Sequence, residues 1–291
     1  ILRKYGEVVQ ELTPLVLCSP SSAVDLIDPA VMGFDVVIFD EASQITVPEA
    51  VGALGRARAA IVVGDSKQMP PTRTFGGQQA GDEEEIDDPD VEEILEDQES
   101  ILSECELARV PTLSLNWHYR SQDEELIAFS NRAYYHGELS SFPTPTLLSV
   151  DTGMEFRRVD GQYHRAGSGK IDLGQSVVAG SNTNPAEAQA IVQAVQDLVN
   201  RSVKLPSIGI VTFNEQQRQL IDDLLNASRD PKVAEVMDEA TMGRGEVLFV
   251  KALEQVQGDE RDTMIFSISF SKQANGKIPT NFGPLSNSGG E

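Results

Sequence analysis

Apolar residues follow two different rhythms along this chain. Short, continuous runs stand at 15–18 (Leu-Val-Leu-Cys), 35–39 (Asp-Val-Val-Ile-Phe) and 60–64 (Ala-Ile-Val-Val-Gly), each bounded by Pro, Gly or Asp. Runs of this kind predict strands of a parallel sheet covered on both faces. Between the last two, Val47–Arg58 carries Ala, Leu and Glu at helical spacing, which predicts a strand–helix–strand unit. A slower rhythm links Val91, Ile94, Leu95, Ile101, Leu102 and Cys105 into one face of an amphipathic helix, with carboxylates opposite. A second α/β pattern begins with a strand at Thr112-Leu-Ser-Leu. It continues with helices over Asp123–Tyr135 and Pro185–Asn200, a strand at Ile208–Phe213 and a helix over Glu215–Leu225. Strands near Val247–Val250 and Met264–Ser269 complete it. Residues 140–184 lack periodicity and read as an irregular excursion. The fold class is therefore α/β, and a length of 291 residues predicts two compact units.

Charge sharpens this division. The net charge of −23 opposes nucleic-acid binding at first sight, because that binding neutralises phosphates with Lys and Arg. However, Asp82–Glu106 holds 14 acidic residues and no Lys or Arg, so the rest of the chain is only mildly acidic. A local basic groove elsewhere is compatible with that distribution. The acidic segment reads as a solvated helix face; the other reading is a surface for a protein partner. No apolar run reaches the length of a membrane span, and the start of the chain lacks the pattern of a signal peptide, so a cytoplasmic protein without a membrane partner is expected. Cys18 and Cys105 lie in apolar stretches and predict buried thiols, not a disulfide. His118, His136 and His164 have no zinc-like spacing.

Candidate chemistry sits at strand ends. Val36-Val-Ile-Phe-Asp40-Glu41-Ala-Ser-Gln44 is an apolar strand ending in adjacent carboxylates. Asp40 there can hold magnesium, and Glu41 can orient or deprotonate an attacking water. The same pair also serves as a simple cap for the turn that follows. In Ile61-Val-Val-Gly64-Asp65-Ser-Lys-Gln68-Met-Pro-Pro a second strand ends in a Gly-Asp turn, placing Gln68 near those carboxylates. A neutral amide there can sense a terminal phosphate.

Taken with His118-Tyr-Arg120-Ser and Val256-Gln257-Gly258-Asp-Glu260-Arg-Asp262, these segments resemble the ordered motifs of superfamily 1 helicases. The branch is the one containing the RNA helicase of nonsense-mediated decay, and the chain is most similar to large bacterial DNA-helicase-related proteins. The resemblance runs from about Leu15 to the end. It implies two RecA-like P-loop NTPase domains with mainly parallel sheets, the first incomplete. Residues 1–75 would be part of the first domain, 76–106 an acidic insertion and helix, and 107–291 the second domain.

The resemblance implies ATP and Mg2+ as cofactors, with Asp40 on the metal, Glu41 as general base and Gln68 on the terminal phosphate. Arg120 would reach that phosphate across an interdomain cleft as an arginine finger, and Gly64, Asp65, Gln257 and Glu260 would serve nucleotide binding. Single-stranded DNA or RNA would touch Ser19 and Ser22 in the first domain and Thr212, Phe213 and Asn214 in the second. Those hydroxyl and amide side chains are equally suited to capping helices. Trp117, Tyr134 and Tyr135 suit base stacking, and they suit a helix-packed core equally well.

No G-x-x-x-x-G-K-[ST] loop occurs, and Gly167-Ser-Gly-Lys170 has the wrong spacing and reads as a turn. Ala252 stands where the family often has a hydroxyl side chain. The expectation is a piece of an ATP-dependent helicase or translocase, inactive alone. The alternatives are a non-catalytic interaction module on a helicase fold, with 82–106 as its binding surface, and a P-loop ATPase that moves no strand.

Overall fold

The computed structural model describes residues 2–68, 71, 100–121, 123–143, 153–165, 170–172, 177–179, 182–238, 247–279 and 282. The chain forms two compact units, Ile1–Met154 and Glu155–Glu291. That division lies well beyond the motif-based boundary expected at 106/107.

The first unit opens with helices α1 (Leu2–Leu12) and α2 (Pro20–Leu26), neither of which the apolar pattern announced. Strand β1 (Phe34–Phe39), helix α3 (Val47–Leu54) and strand β2 (Ala57–Val62) then form the expected strand–helix–strand unit. The helix stops before Arg58 because β2 already begins at Ala57. The two strands are parallel, in register from Phe34 opposite Ala57 to Phe39 opposite Val62. A small core forms from Ala23, Ile27, Met32, Phe39, Ala42, Ala50, Ala53 and Ile101. Arg56 closes it, donating to the carbonyls of Val24, Ile27 and Gly52 at the ends of α2 and α3. A cation there complements the negative ends of both helices.

Helix α4 (Ile101–Leu107) packs on the turn after β1. Of the apolar face expected for it, Val91, Ile94 and Leu95 lie outside the described residues. The unit ends with β3 (Trp117–His118), α5 (Glu125–Tyr134) and β4 (Ser140–Ser141), where β3 and β4 pair in parallel.

Three expectations are corrected in this unit. Leu15–Cys18 and Thr112–Leu115 are not strands, because neither run has a ladder partner among the described residues. Among the described residues the β1–β2 sheet is not covered on both faces, since Val36, Ile38 and Ile61 are exposed while Phe39 is buried against the helices. Cys18 is exposed and Cys105 only half-buried, so Cys18 is not a buried thiol, although both are free.

The second unit begins with a short antiparallel pair, β5 (Lys170–Asp172) and β6 (Val177–Ala179). Helix α6 (Pro185–Arg201) follows, then β7 (Ile208–Thr212), α7 (Glu215–Asn226), α8 (Pro231–Met237), β8 (Leu248–Ala252) and β9 (Thr263–Ser267). The sheet is parallel in the order β8-β7-β9, with Ile210 opposite both Val250 and Ile265. Every residue of β7 is buried, which explains why its sequence is an unbroken small and apolar run. Helix α6 starts where Asn184 accepts from the Glu187 N–H at 3.3 Å and Pro185 occupies the first turn. Its buried stripe of Ala188, Ile191, Val195 and Val199 meets Leu220, Ile221 and Leu225 of α7. Each fully buried aliphatic side chain there contributes roughly 1.5–3 kcal/mol. Helix α8 was not anticipated; Asp230 caps it by accepting from the Lys232 N–H at 2.9 Å.

Candidate functional site

Strand β1 ends where its chain turns sharply at the carboxylates. Glu41 lies in the left-handed region (φ 51°, ψ 42°), and its N–H donates to Asp40 Oδ1 at 3.1 Å. For a non-glycine residue this conformation costs energy and persists only where the surroundings hold it. Here the hold is the neighbouring strand: Val63 N donates to the Phe39 carbonyl at 2.8 Å, and Ala42 N donates to the Val63 carbonyl at 2.9 Å. The turn buries Ala42 and Ser43 and leaves Asp40 and Glu41 exposed at the carboxyl edge of the sheet. Gly64 completes the fit, because a Cβ there would meet Ser43 N at 3.0 Å, Ala42 N at 3.1 Å and Leu102 Cδ2 at 3.0 Å.

The loop after β2 is organised by Asp65 on that same edge. Its Oδ1 accepts from Lys67 N at 2.9 Å, and its Oδ2 accepts from Gln68 Nε2 at 3.1 Å. The same Oδ2 accepts from the Tyr135 hydroxyl at 2.5 Å. Burial, and then the bond to Asp65 and its charge, push the Tyr135 phenol above its ordinary range. This partnership was missed in the sequence, where Tyr135 looked like a core or stacking aromatic. In the His-Tyr-Arg-Ser segment, His118 Nε2 lies 2.8 Å from Ser121 Oγ and accepts from Ser121 N at 3.3 Å. Their contact closes a turn around exposed Arg120, which belongs to the same compact unit as Asp40.

The candidate nucleic-acid residues have local roles. Ser19 caps α2, accepting from Ser22 N at 3.2 Å while donating to Ser22 Oγ at 2.9 Å. Thr212 is buried and donates to the Asn214 carbonyl at 3.0 Å. Asn214 caps α7 by accepting from Gln217 N at 2.7 Å, and its amide donates to Ser269 Oγ at 2.9 Å. Phe213 lies half-buried between them.

Next to Asn214 runs a part-buried polar network the sequence did not reveal. Glu187 Oε1 accepts from Ser267 Oγ at 2.7 Å and from the N–H of Ser269 at 2.9 Å, and Ser269 is itself left-handed at φ 60°. The available signal was Asn184-Pro185-Ala-Glu187, a helix-start pattern, which says nothing of the distant serines. Gln257 and Glu260 lie between β8 and β9, around Gly258 at φ 81°. Nearby, Lys251 pairs with Asp259 at 2.7 Å, Arg261 donates to the Glu260 carbonyl at 2.7 Å, and both cations lie over the Phe249 ring.

No group of three or more His, Cys, Asp or Glu side chains among the described residues could enclose a metal ion. Magnesium needs no such cage, since one or two carboxylates suffice alongside phosphate oxygens. An exposed Asp40 at a strand's carboxyl end fits that requirement.

Parallel strands with helices packed on them fit an α/β P-loop fold. A family model for an AAA domain matches residues 98–288, more than half of the chain, and another AAA domain model matches 8–74. The chain belongs to the AAA domain family, within the superfamily 1 helicases. It is 31% identical over 291 residues to the uncharacterized ATP-dependent helicase MG140 of Mycoplasma genitalium, an overlap of 99% of this chain and 24% of that protein. The 5'-3' DNA helicase ZGRF1 of Mus musculus is 27% identical over 82% of this chain and 11% of its own length. The DNA replication ATP-dependent helicase/nuclease DNA2 of Homo sapiens is 24% identical over 67% of this chain and 19% of its own length. The chain thus spans a quarter or less of these relatives.

Proposed function

We propose that this chain forms part of the motor of an ATP-dependent helicase or translocase that moves along single-stranded DNA or RNA. The observation that carries the proposal is one sheet edge: Asp40 and Glu41 follow β1, while Asp65 and Gln68 follow the parallel strand beside it. Two RecA-like domains belong to the same proposal, with the β8-β7-β9 sheet as support for the second. The helicase names of the relatives support the reaction class. A cytoplasmic location is proposed with it, consistent with two free cysteines.

Asp40 would hold Mg2+, which when bound beside ATP neutralises phosphate charge. Glu41 accepts a hydrogen bond from the attacking water and takes its proton. Glu41 is exposed at the sheet edge on a left-handed backbone. Gln68 contacts the terminal phosphate as a neutral donor that does not compete for the metal. Arg120 offsets charge on the transferring group, the contribution an arginine finger makes elsewhere. Gln257 and Glu260 are assigned to nucleotide binding, and Ser19, Ser22, Phe213 and Asn214 to the strand's backbone; buried Thr212 serves only by holding the Asn214 carbonyl.

The test is ATP hydrolysis by the full-length protein, with and without single-stranded DNA or RNA. Turnover stimulated by the strand and lost in Glu41→Gln supports the proposal. Equal turnover in both proteins removes Glu41 from its role, and turnover indifferent to nucleic acid leaves a simple ATPase.

A further inference from the structure

Asp65 does more than shape its own loop. Its Oδ2 receives both the amide of Gln68 at 3.1 Å and the hydroxyl of Tyr135 at 2.5 Å, residues that lie on opposite sides of a long stretch of chain. A hydroxyl donating to a carboxylate is among the strong hydrogen bonds. Tyr135 is also well anchored on its other side. It caps the end of α5, and the chain then reverses through His136 and Gly137, both at positive φ. Asn131 clamps that reversal, accepting from Leu139 N at 3.0 Å and donating to the Leu139 carbonyl at 2.9 Å. The next residues form β4, which pairs with β3, and β3 ends in His118, the residue that closes the turn around Arg120. An unbroken series of bonded groups therefore joins Gln68 to Arg120 through Tyr135.

We propose that Tyr135 is a positioning residue that couples the loop bearing Gln68 to the turn bearing Arg120, so that both side chains are set together for the terminal phosphate. Tyr135 acts through Asp65 on one side and through the α5–β4 reversal on the other. The inference rests on the ATPase reading for its consequence in turnover, while the coupling itself is a property of this unit.

Two measurements decide it. In the full-length protein, Tyr135→Phe keeps the ring and removes only the donor. It is expected to lower kcat of strand-stimulated ATP hydrolysis about tenfold with KM for ATP nearly unchanged, because the lost interaction serves the transition state. Asp65→Asn is expected to do the same, and the double variant to lose no more than either single one. A Tyr135→Phe protein that melts earlier yet keeps its kcat, or that raises KM alone, overturns the proposal. If the wild-type protein hydrolyses no ATP, the functional reading fails instead, and the second measurement still decides the coupling. In NMR spectra of this chain, Tyr135→Phe should shift the His118 ring and Ser121 amide signals together with the Gln68 side-chain amide. Shifts at Gln68 with His118 and Ser121 unmoved overturn it.

Discussion

Asn184 and Gln217 exchange two hydrogen bonds in the interior of the second unit. The Asn184 N–H donates to Gln217 Oε1 at 2.8 Å, and Gln217 Nε2 donates back to the Asn184 carbonyl at 3.2 Å. Both residues are almost completely buried, at 1% and 0% exposure, so no water replaces a lost partner. The pair ties the starts of α6 and α7 together at the carboxyl end of β7, where Thr212–Asn214 lie. Gln217→Leu roughly preserves volume but leaves the buried Asn184 N–H unpaired, at a cost of roughly 1–3 kcal/mol, while the Asn184 carbonyl keeps its bond from Ala188 N at 3.0 Å. The expected result is a lower urea midpoint with an unchanged slope, since the surface exposed on unfolding hardly changes.

Acid should weaken the same unit through Asp262. Its carboxylate accepts from Ser207 N at 3.0 Å and Ser207 Oγ at 2.8 Å, joining the starts of β7 and β9. The Ser207 N–H, then its hydroxyl and the Lys204 charge, hold Asp262 below the ordinary carboxylate value of 3.8, with slight burial opposing them. A carboxyl depressed in the folded state contributes stability that is complete above its unfolded value and is lost as pH falls through its folded value. Asp262→Asn should therefore be less stable than wild type at neutral pH. The gap should close as pH falls through and below the ordinary carboxylate value. Urea midpoints measured across that window check it; a gap constant with pH removes Asp262 as the cause.

Much of this arrangement was legible in the sequence, for reasons particular residues make plain. Ile208–Phe213 reads as a strand because a run buried on both faces can carry no charge, and the structure pairs Ile208–Thr212 of it on both sides. Leu15–Cys18 and Thr112–Leu115 have the same chemistry without a ladder partner among the described residues. An apolar run specifies an affinity for a sheet, while a strand requires a neighbour's hydrogen bonds, which no local pattern encodes. The carboxylates Asp40 and Glu41 stood out because charge abruptly follows an apolar run. Tyr135 did not, because its partner lies 70 positions away and its own surroundings look like an ordinary helix end. A separation of 80 positions likewise hid the bond from Ser267 to Glu187.

Gly64 is the most constrained position at the candidate site. Nothing in its dihedral angles demands glycine; the backbone of Ala42 and Ser43 does, by passing within 3.0–3.1 Å of where a Cβ would lie. Backbone cannot rotate away as a side chain can, so Gly64→Ala must push the Asp40-Glu41 turn off β2 and strain the bond from Ala42 N to the Val63 carbonyl. The expected cost is about 1–3 kcal/mol of stability, as for other overpacked sites. In the full-length protein, turnover should fall further than this loss of folded protein explains. Thermal melts and ATPase rates on the same preparation separate the two effects; a variant that melts earlier with undiminished kcat per folded molecule shows that the turn tolerates the shift.

Arg120 offers the sharpest test of the chemistry, because its two possible roles respond differently to lysine. As a surface cation making an ion pair, it would tolerate Arg120→Lys with little change, and even alanine would cost at most about 1 kcal/mol. As a planar donor to a transferring phosphoryl group, it cannot be replaced by a compact ammonium on a flexible stem. The turn that presents it is held by His118 and Ser121, which fixes the backbone from which the side chain extends. In the full-length protein Arg120→Ala is expected to lower kcat by roughly 10³-fold or more with KM for ATP little affected, and Arg120→Lys to recover only a small part of it. His118→Ala should give a smaller loss in the same direction, since it loosens the turn without removing the cation. Full activity in Arg120→Lys would return Arg120 to the surface ion-pair role and leave Asp40, Glu41 and Gln68 to account for catalysis.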